Sequence, residues 1–114
     1  MGDFSMKLNE EQLQLQDWVH QFSEDVIRPA AEEWGEKEEF PFPVVEQAAE
    51  VGIYSWEFLA NGMMGDKTGL TLPVAIEELF WGDAGIGMAI MGSGLAAAGI
   101  LASGTQEQVL EWVP

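Results

Sequence analysis

Residues Ala84 to Gly104 read AGIGMAIMGSGLAAAGILASG and carry no ionisable side chain. The chain has 20 Asp+Glu against 4 Lys+Arg and keeps all of them out of this stretch. Such a segment is either a helix buried on all sides or a membrane span. Its length suits a span, because roughly 20 apolar residues cross a bilayer. Its composition opposes one. Gly85, Gly87, Gly92, Gly94 and Gly99, with Ser93 and Ser103, lower its hydrophobicity. Asp83 precedes it, Glu107 and Glu111 follow, and no Lys or Arg occurs after Lys67. Membrane orientation normally rests on Lys or Arg beside the span. The expectation is therefore a buried helix and no membrane span. Ala89, Ser93 and Ala97 recur four apart, as do Gly94, Ala98 and Ala102. That spacing lets neighbours approach closely and leaves room for a ligand alongside.

At 114 residues the chain is one domain, long enough to bury about two-thirds of its unfolded surface. Five Trp and six Phe are expected to supply large core side chains. A net charge of −16 argues against nucleic acid as a partner. There is no Cys, which removes disulfides, thiolate metal sites and Cys nucleophiles. The N-terminus shows no basic region followed by an apolar run, so the expectation is a soluble cytoplasmic protein.

Outward from the central stretch, the chain reads as helices. Asn9 caps the first, with Gln12 three residues on as a capping box requires. Leu15, Trp18, Val19, Phe22 and Val26 follow at helical spacing. Pro29 ends or kinks this helix, and Ala30 to Trp34 resumes it. A second helix starts at Phe42-Pro43 and stops at Gly52. Ile53 to Phe58 reads as an extended segment or buried turn, and Asn61 to Gly69 as a loop. A third helix runs from Leu72 to Trp81 with Thr71 as its cap. Asp83 caps the central helix. Thr105, with Gln108, caps the last, which reaches Trp112 and stops at Pro114. The fold class is all-α: a bundle of about five helices around a buried Gly/Ala-rich central helix. Residues 1–8 form an N-terminal tail and residues 9–114 the domain.

Candidate chemistry is sparse. His20 is the single histidine, with Asp17 three residues before it on the same face. Paired Glu-x-x-His motifs hold di-iron sites in bundles; one half-motif without a second His reads as a surface histidine. No Ser stands in a strand-turn-helix context. Gly85-Ile-Gly87 and Gly92-Ser-Gly94 lack the third glycine and preceding strand of a dinucleotide fingerprint. Glu77 and Glu78 point about 100° apart on a helix, so one faces solvent and the other reaches a neighbouring element. Met63, Met64, Met88 and Met91 form a soft apolar set, either core filling or the wall of a slot for a flexible apolar ligand. No catalytic residue and no metal ligand emerges.

The order of these pieces resembles the N-terminal α-domain of acyl-CoA dehydrogenases. The matching residues are Leu8-Asn9-Glu10-Glu11-Gln12, then Val26-Ile27-Arg28-Pro29-Ala30-Ala31-Glu32, then Phe40-Pro41 ahead of Val51-Gly52-Ile53. Gly69-Leu70-Thr71 leads to Val74-Ala75-Ile76-Glu77-Glu78-Leu79; Gly104-Thr105-Gln106-Glu107-Gln108 and Trp112-Val113-Pro114 close the series. The resemblance implies a three-domain flavoenzyme: this helical domain, a middle β-domain and a C-terminal helical domain. Its reaction is α,β-dehydrogenation of an acyl-CoA thioester, with hydride passing to FAD. It further implies an electron-transfer partner, a homo- or hetero-oligomer, and a catalytic base and FAD contacts in the later domains. The 114 residues alone are expected to be a fragment without activity.

What the resemblance carries onto this chain is the acyl-chain pocket: Met88, Met91, Gly92 and Leu95, with Ala89 and Ser93 as weaker candidates. Gly92 is expected to keep the slot open, so Gly92→Phe is expected to block longer acyl substrates. The family's Gly-Gly-x-Gly turn before the third helix is replaced here by Asn61-Gly62-Met63-Met64-Gly65-Asp66. Straight, branched and ring-bearing acyl groups all stay open on this reading. So do two other classes of protein: a non-catalytic acidic helical module for a basic partner, and a small membrane protein using Ala84–Gly104.

Overall fold

The first helix opens where its capping chemistry sits. In this computed structural model, which describes residues 5–113, the Asn9 side chain accepts from the Gln12 amide at 2.8 Å and the Gln12 side chain accepts from the Asn9 amide at 3.0 Å. This starts α1 (Glu10–Phe22). The expected tail falls partly, and the stop at Pro114 wholly, outside the described residues.

Pro29 does not end the helix. The chain widens into a π-helical turn over Ser23–Ile27, in which the Arg28 amide donates to the Ser23 carbonyl, and continues as α2 (Arg28–Lys37). Proline lacks an N–H and its ring collides with the carbonyl four residues back; a turn one residue wider relieves both. Glu38 closes α2 in the left-handed region, at φ 54°.

α3 (Phe42–Glu50) carries Pro43 in its first turn and buries Val44, Val45 and Ala48. The segment after it is a helix rather than an extended piece. Ser55 accepts from the Phe58 amide at 3.1 Å and caps α4 (Trp56–Ala60). A second π-helical turn over Asn61–Gly65 takes up the first part of the expected loop.

α5 (Thr71–Gly82) starts differently from expectation. Thr71 is its first residue, and the capping oxygen comes from Asp66, whose carboxylate accepts from the Leu70 and Thr71 amides, each at 2.9 Å. The Thr71 hydroxyl instead accepts from Gln12 Nε2 at 3.1 Å, and the Thr68 hydroxyl from the same nitrogen at 2.8 Å. Gln12, 2 % exposed, is thus both cap and tie between α1 and α5. Asp83 caps α6 (Ala84–Met91) through the Ile86 amide at 2.8 Å. α7 (Ser93–Ser103) follows, and the Thr105/Gln108 capping box opens α8 (Gln106–Trp112). Each such cap contributes about 1 kcal/mol. No strand occurs among the described residues, and the all-α class stands.

Two features of the expected core are corrected. The core is mainly aliphatic: Val19, Ile27, Ala48, Ile53, Ala75, Leu79 and Ile90 are almost wholly buried, with Phe22 among them and Trp34, Phe58 and Phe80 packed against them, while Trp18, Trp81, Trp112, Phe40 and Phe42 are exposed. And Ala84–Ser103 is not buried on all sides. Its first half buries one face: Ile86, Gly87 and Ile90 pack on α3 and α5. A Cβ at Gly87 would lie 2.9 Å from Phe80, so the glycine is what lets α6 lie this close to α5. At Gly92 the chain tightens into an i→i+3 turn, the Leu95 amide donating to the Gly92 carbonyl at 3.1 Å. Beyond it, α7 buries no residue. Among the described residues α7 meets chiefly α8 and α6, and the rest of it is open. The segment is 20 residues long and holds an 18-residue window of mean hydropathy 1.7, long and apolar enough by those measures to cross a membrane, and only 17 % of that window is buried.

Candidate functional site

The exposed half of that segment forms one wall of a groove. α4 supplies Trp56 and Leu59, the turn after it Met63, and α5 Ile76 and Phe80. Met88 and Met91 of α6 and Gly94, Leu95, Ala98 and Leu101 of α7 complete it. The groove holds about 330 Å³ and no charged side chain lines it. Residues 88, 91, 95 and 98 are spaced three, four and three, so the stripe runs on through the Gly92 turn. Leu95 is 73 % exposed and Met88 51 %, so the groove is open along its length.

Three of the four residues singled out from sequence meet here: Met88, Met91 and Leu95. Gly92 does not border the groove. A Cβ there would sit 2.7 Å from the Met88 carbonyl oxygen, so the residue faces its own preceding turn. The glycine in the wall is Gly94, where a Cβ would lie 3.3 Å from Leu59 Cδ1. Ala89 packs against the core, and Ser93 opens onto a second hollow. Sequence reasoning missed α4 as a groove element, because Ile53 to Phe58 reads as an extended segment or buried turn and the loop signal of Asn61-Gly62 follows directly on Ala60. The cue was Ser55, a good cap ahead of an apolar run.

The second hollow lies across α4 and holds about 190 Å³. Ile53, Ser55, Ile90, Ala97 and Val113 are among its walls. It shares Trp56, Leu59, Met91 and Gly94 with the groove.

His20 serves a structural tie. Its Nδ1 lies 2.6 Å from Glu78 Oε2, and its ring stacks on Trp81 at 4.2 Å between centroids. Arg28 lies over the Trp81 ring at 4.5 Å and donates to the Trp81 carbonyl at 3.3 Å. Glu77 faces solvent while Glu78 reaches α1, as their angular separation required. Asp66 is the group whose acidity is most altered. The Thr68 hydroxyl, then the Thr71 amide, hold its carboxyl well below the ordinary value of 3.8. No group of three or more side chains suited to a metal occurs among the described residues.

The acyl-CoA dehydrogenase N-terminal domain family matches residues 9–114. The chain belongs to that family. It is 32% identical over 104 residues to a probable medium-chain specific acyl-CoA dehydrogenase 2, mitochondrial, of Caenorhabditis briggsae, covering 91% of this chain and 26% of that protein. It is 31% identical over 112 residues to a (2S)-methylsuccinyl-CoA dehydrogenase of Cereibacter sphaeroides, covering 94% and 20%. It is 31% identical over 113 residues to an isobutyryl-CoA dehydrogenase, mitochondrial, of Dictyostelium discoideum, covering 96% and 26%. The chain thus spans about a quarter or less of the length of these relatives.

Among the described residues of this acyl-CoA dehydrogenase domain, no cluster of basic side chains marks a site for the pyrophosphate of a flavin dinucleotide. No charged side chain of the groove could meet a pyrophosphate. Arg28 is engaged by Trp81 and Lys37 by Glu33, and Lys7 and Lys67 lie in separate segments.

Proposed function

We propose that this chain is the acyl-chain-holding domain of an FAD-dependent acyl-CoA dehydrogenase that acts with an electron-transfer partner. The observation that carries it is the groove. Met88, Met91 and Leu95, which the family resemblance assigns to the acyl pocket, share one apolar wall with Ile76 and Phe80. When bound, the flavin accepts the hydride taken from the β-carbon of the thioester. This chain's residues bind and orient the tail and keep water from it; the base that takes the α-proton belongs to residues outside these 114. The groove suits a hydrocarbon tail and not a second carboxylate. A charged end lying along Met88, Ile76 and Phe80 would find no basic partner there. The acyl class is accordingly a monocarboxylic one.

The test is anaerobic titration of the native polypeptide carrying these residues with octanoyl-CoA and with methylsuccinyl-CoA. Bleaching of the flavin absorbance by octanoyl-CoA, and not by methylsuccinyl-CoA, supports the reading. A flavin-free 12.5 kDa polypeptide that binds neither overturns it and returns the chain to an acidic interaction module.

A further inference from the structure

We infer that the narrow wall between the two hollows, Leu59 against Gly94, is the gate that decides whether a long acyl chain is accepted. The inference rests on the groove holding the acyl tail. Four residues border both hollows, Trp56, Leu59, Met91 and Gly94, so only the thickness of these side chains separates the spaces. Gly94 contributes no side chain to that wall. A Cβ at position 94 would already touch Leu59 Cδ1 at 3.3 Å, so the wall is closed there by the tip of one leucine. Leucine and methionine tips change rotamer readily, and a glycine opposite leaves them room to do so. The hollow behind is mostly apolar. Ile53, Ile90 and Val113 line it and are buried, and the Ser55 hydroxyl is spent on the Phe58 amide and the Gly52 carbonyl, with Tyr54, Ser93 and Trp112 as further polar-bearing walls. A tail longer than the 330 Å³ groove therefore turns at Gly94, and its distal carbons fill the further 190 Å³. A short tail ends before the gate.

The test uses the native flavoenzyme and the ratio of kcat/KM for palmitoyl-CoA over hexanoyl-CoA. Gly94→Val seals the gate, and the ratio is expected to fall by about tenfold or more, the scale on which pocket methylenes discriminate. Ala97→Trp, which fills the far hollow, is expected to lower the ratio likewise, and Leu59→Ala to raise it. Gly94→Ala favours the helix and supplies a milder plug should the valine variant not fold. If the ratio ignores all of these and falls instead with Ala98→Trp, the tail runs outward along α7 and the gate is refuted, while the groove reading stands. If Met88→Trp in the groove itself changes the kinetics of neither substrate, the groove reading fails and the gate falls with it.

Discussion

Asp66 carries more local order than any other single residue. Its carboxylate accepts from the Thr68 amide and hydroxyl and from the Leu70 and Thr71 amides, between 2.7 and 2.9 Å. These bonds are stronger to the charged carboxylate than to the neutral acid, so its folded acidity is raised and its pKa depressed. The contribution to stability is full above the ordinary value of 3.8 and is lost as pH falls through that value toward the lower, folded one. Urea midpoints measured from pH 6 downward should hold to about pH 4 and then decline, and Asp66→Asn should flatten that part of the profile. Glu38 is the opposite case. It occupies a left-handed position at φ 54° that glycine fills without strain. Glu38→Gly should stabilise the domain by about 0.5–1 kcal/mol, read as a higher urea midpoint. Neither role is visible in the sequence: Asp66 stands in what reads as a glycine-rich loop, and no local cue marks Glu38 as left-handed.

The helices themselves were largely legible. Asn9, Asp83 and Thr105 each announce a start that the structure keeps, because capping depends on side chains within three residues. What depends on tertiary approach was not. Gly82 looks like a helix end, yet a Cβ there would lie 2.8 Å from Ile27 Cγ2 and 3.1 Å from Ser23 Cβ. Gly82 is thus where α5 crosses the widened turn after α1. Gly82→Ala should destabilise the domain by about 1–3 kcal/mol through overpacking, measured by thermal unfolding. Likewise Gly92 and Gly94 are alike in sequence, and only the turn at Gly92 decides which one faces the groove.

At the scale of the whole molecule, the domain is a slab of 48 × 39 × 20 Å whose most exposed helices are also apolar ones. Leu95, Leu101, Leu110 and Trp112 are between 48 and 73 % exposed, all of them in α7 and α8. A burial expectation for Ala84–Ser103 follows from composition alone, because composition shows that a surface needs covering and not what covers it. Exposed patches of this kind favour association. The 114-residue chain should therefore sediment as more than a monomer, and Leu110→Lys should shift it toward the monomer in analytical ultracentrifugation.

The widened turn at Ser23–Ile27 also holds one residue more than an ordinary helical turn. Removing one residue there, Glu24 for example, would restore an ordinary turn, in which the Arg28 amide meets the Ser23 carbonyl four residues back instead of five. The phase of α2 would be unchanged, and Ala31 would keep its place against the core. The surplus residue is slack in the rod, and the domain should tolerate its loss.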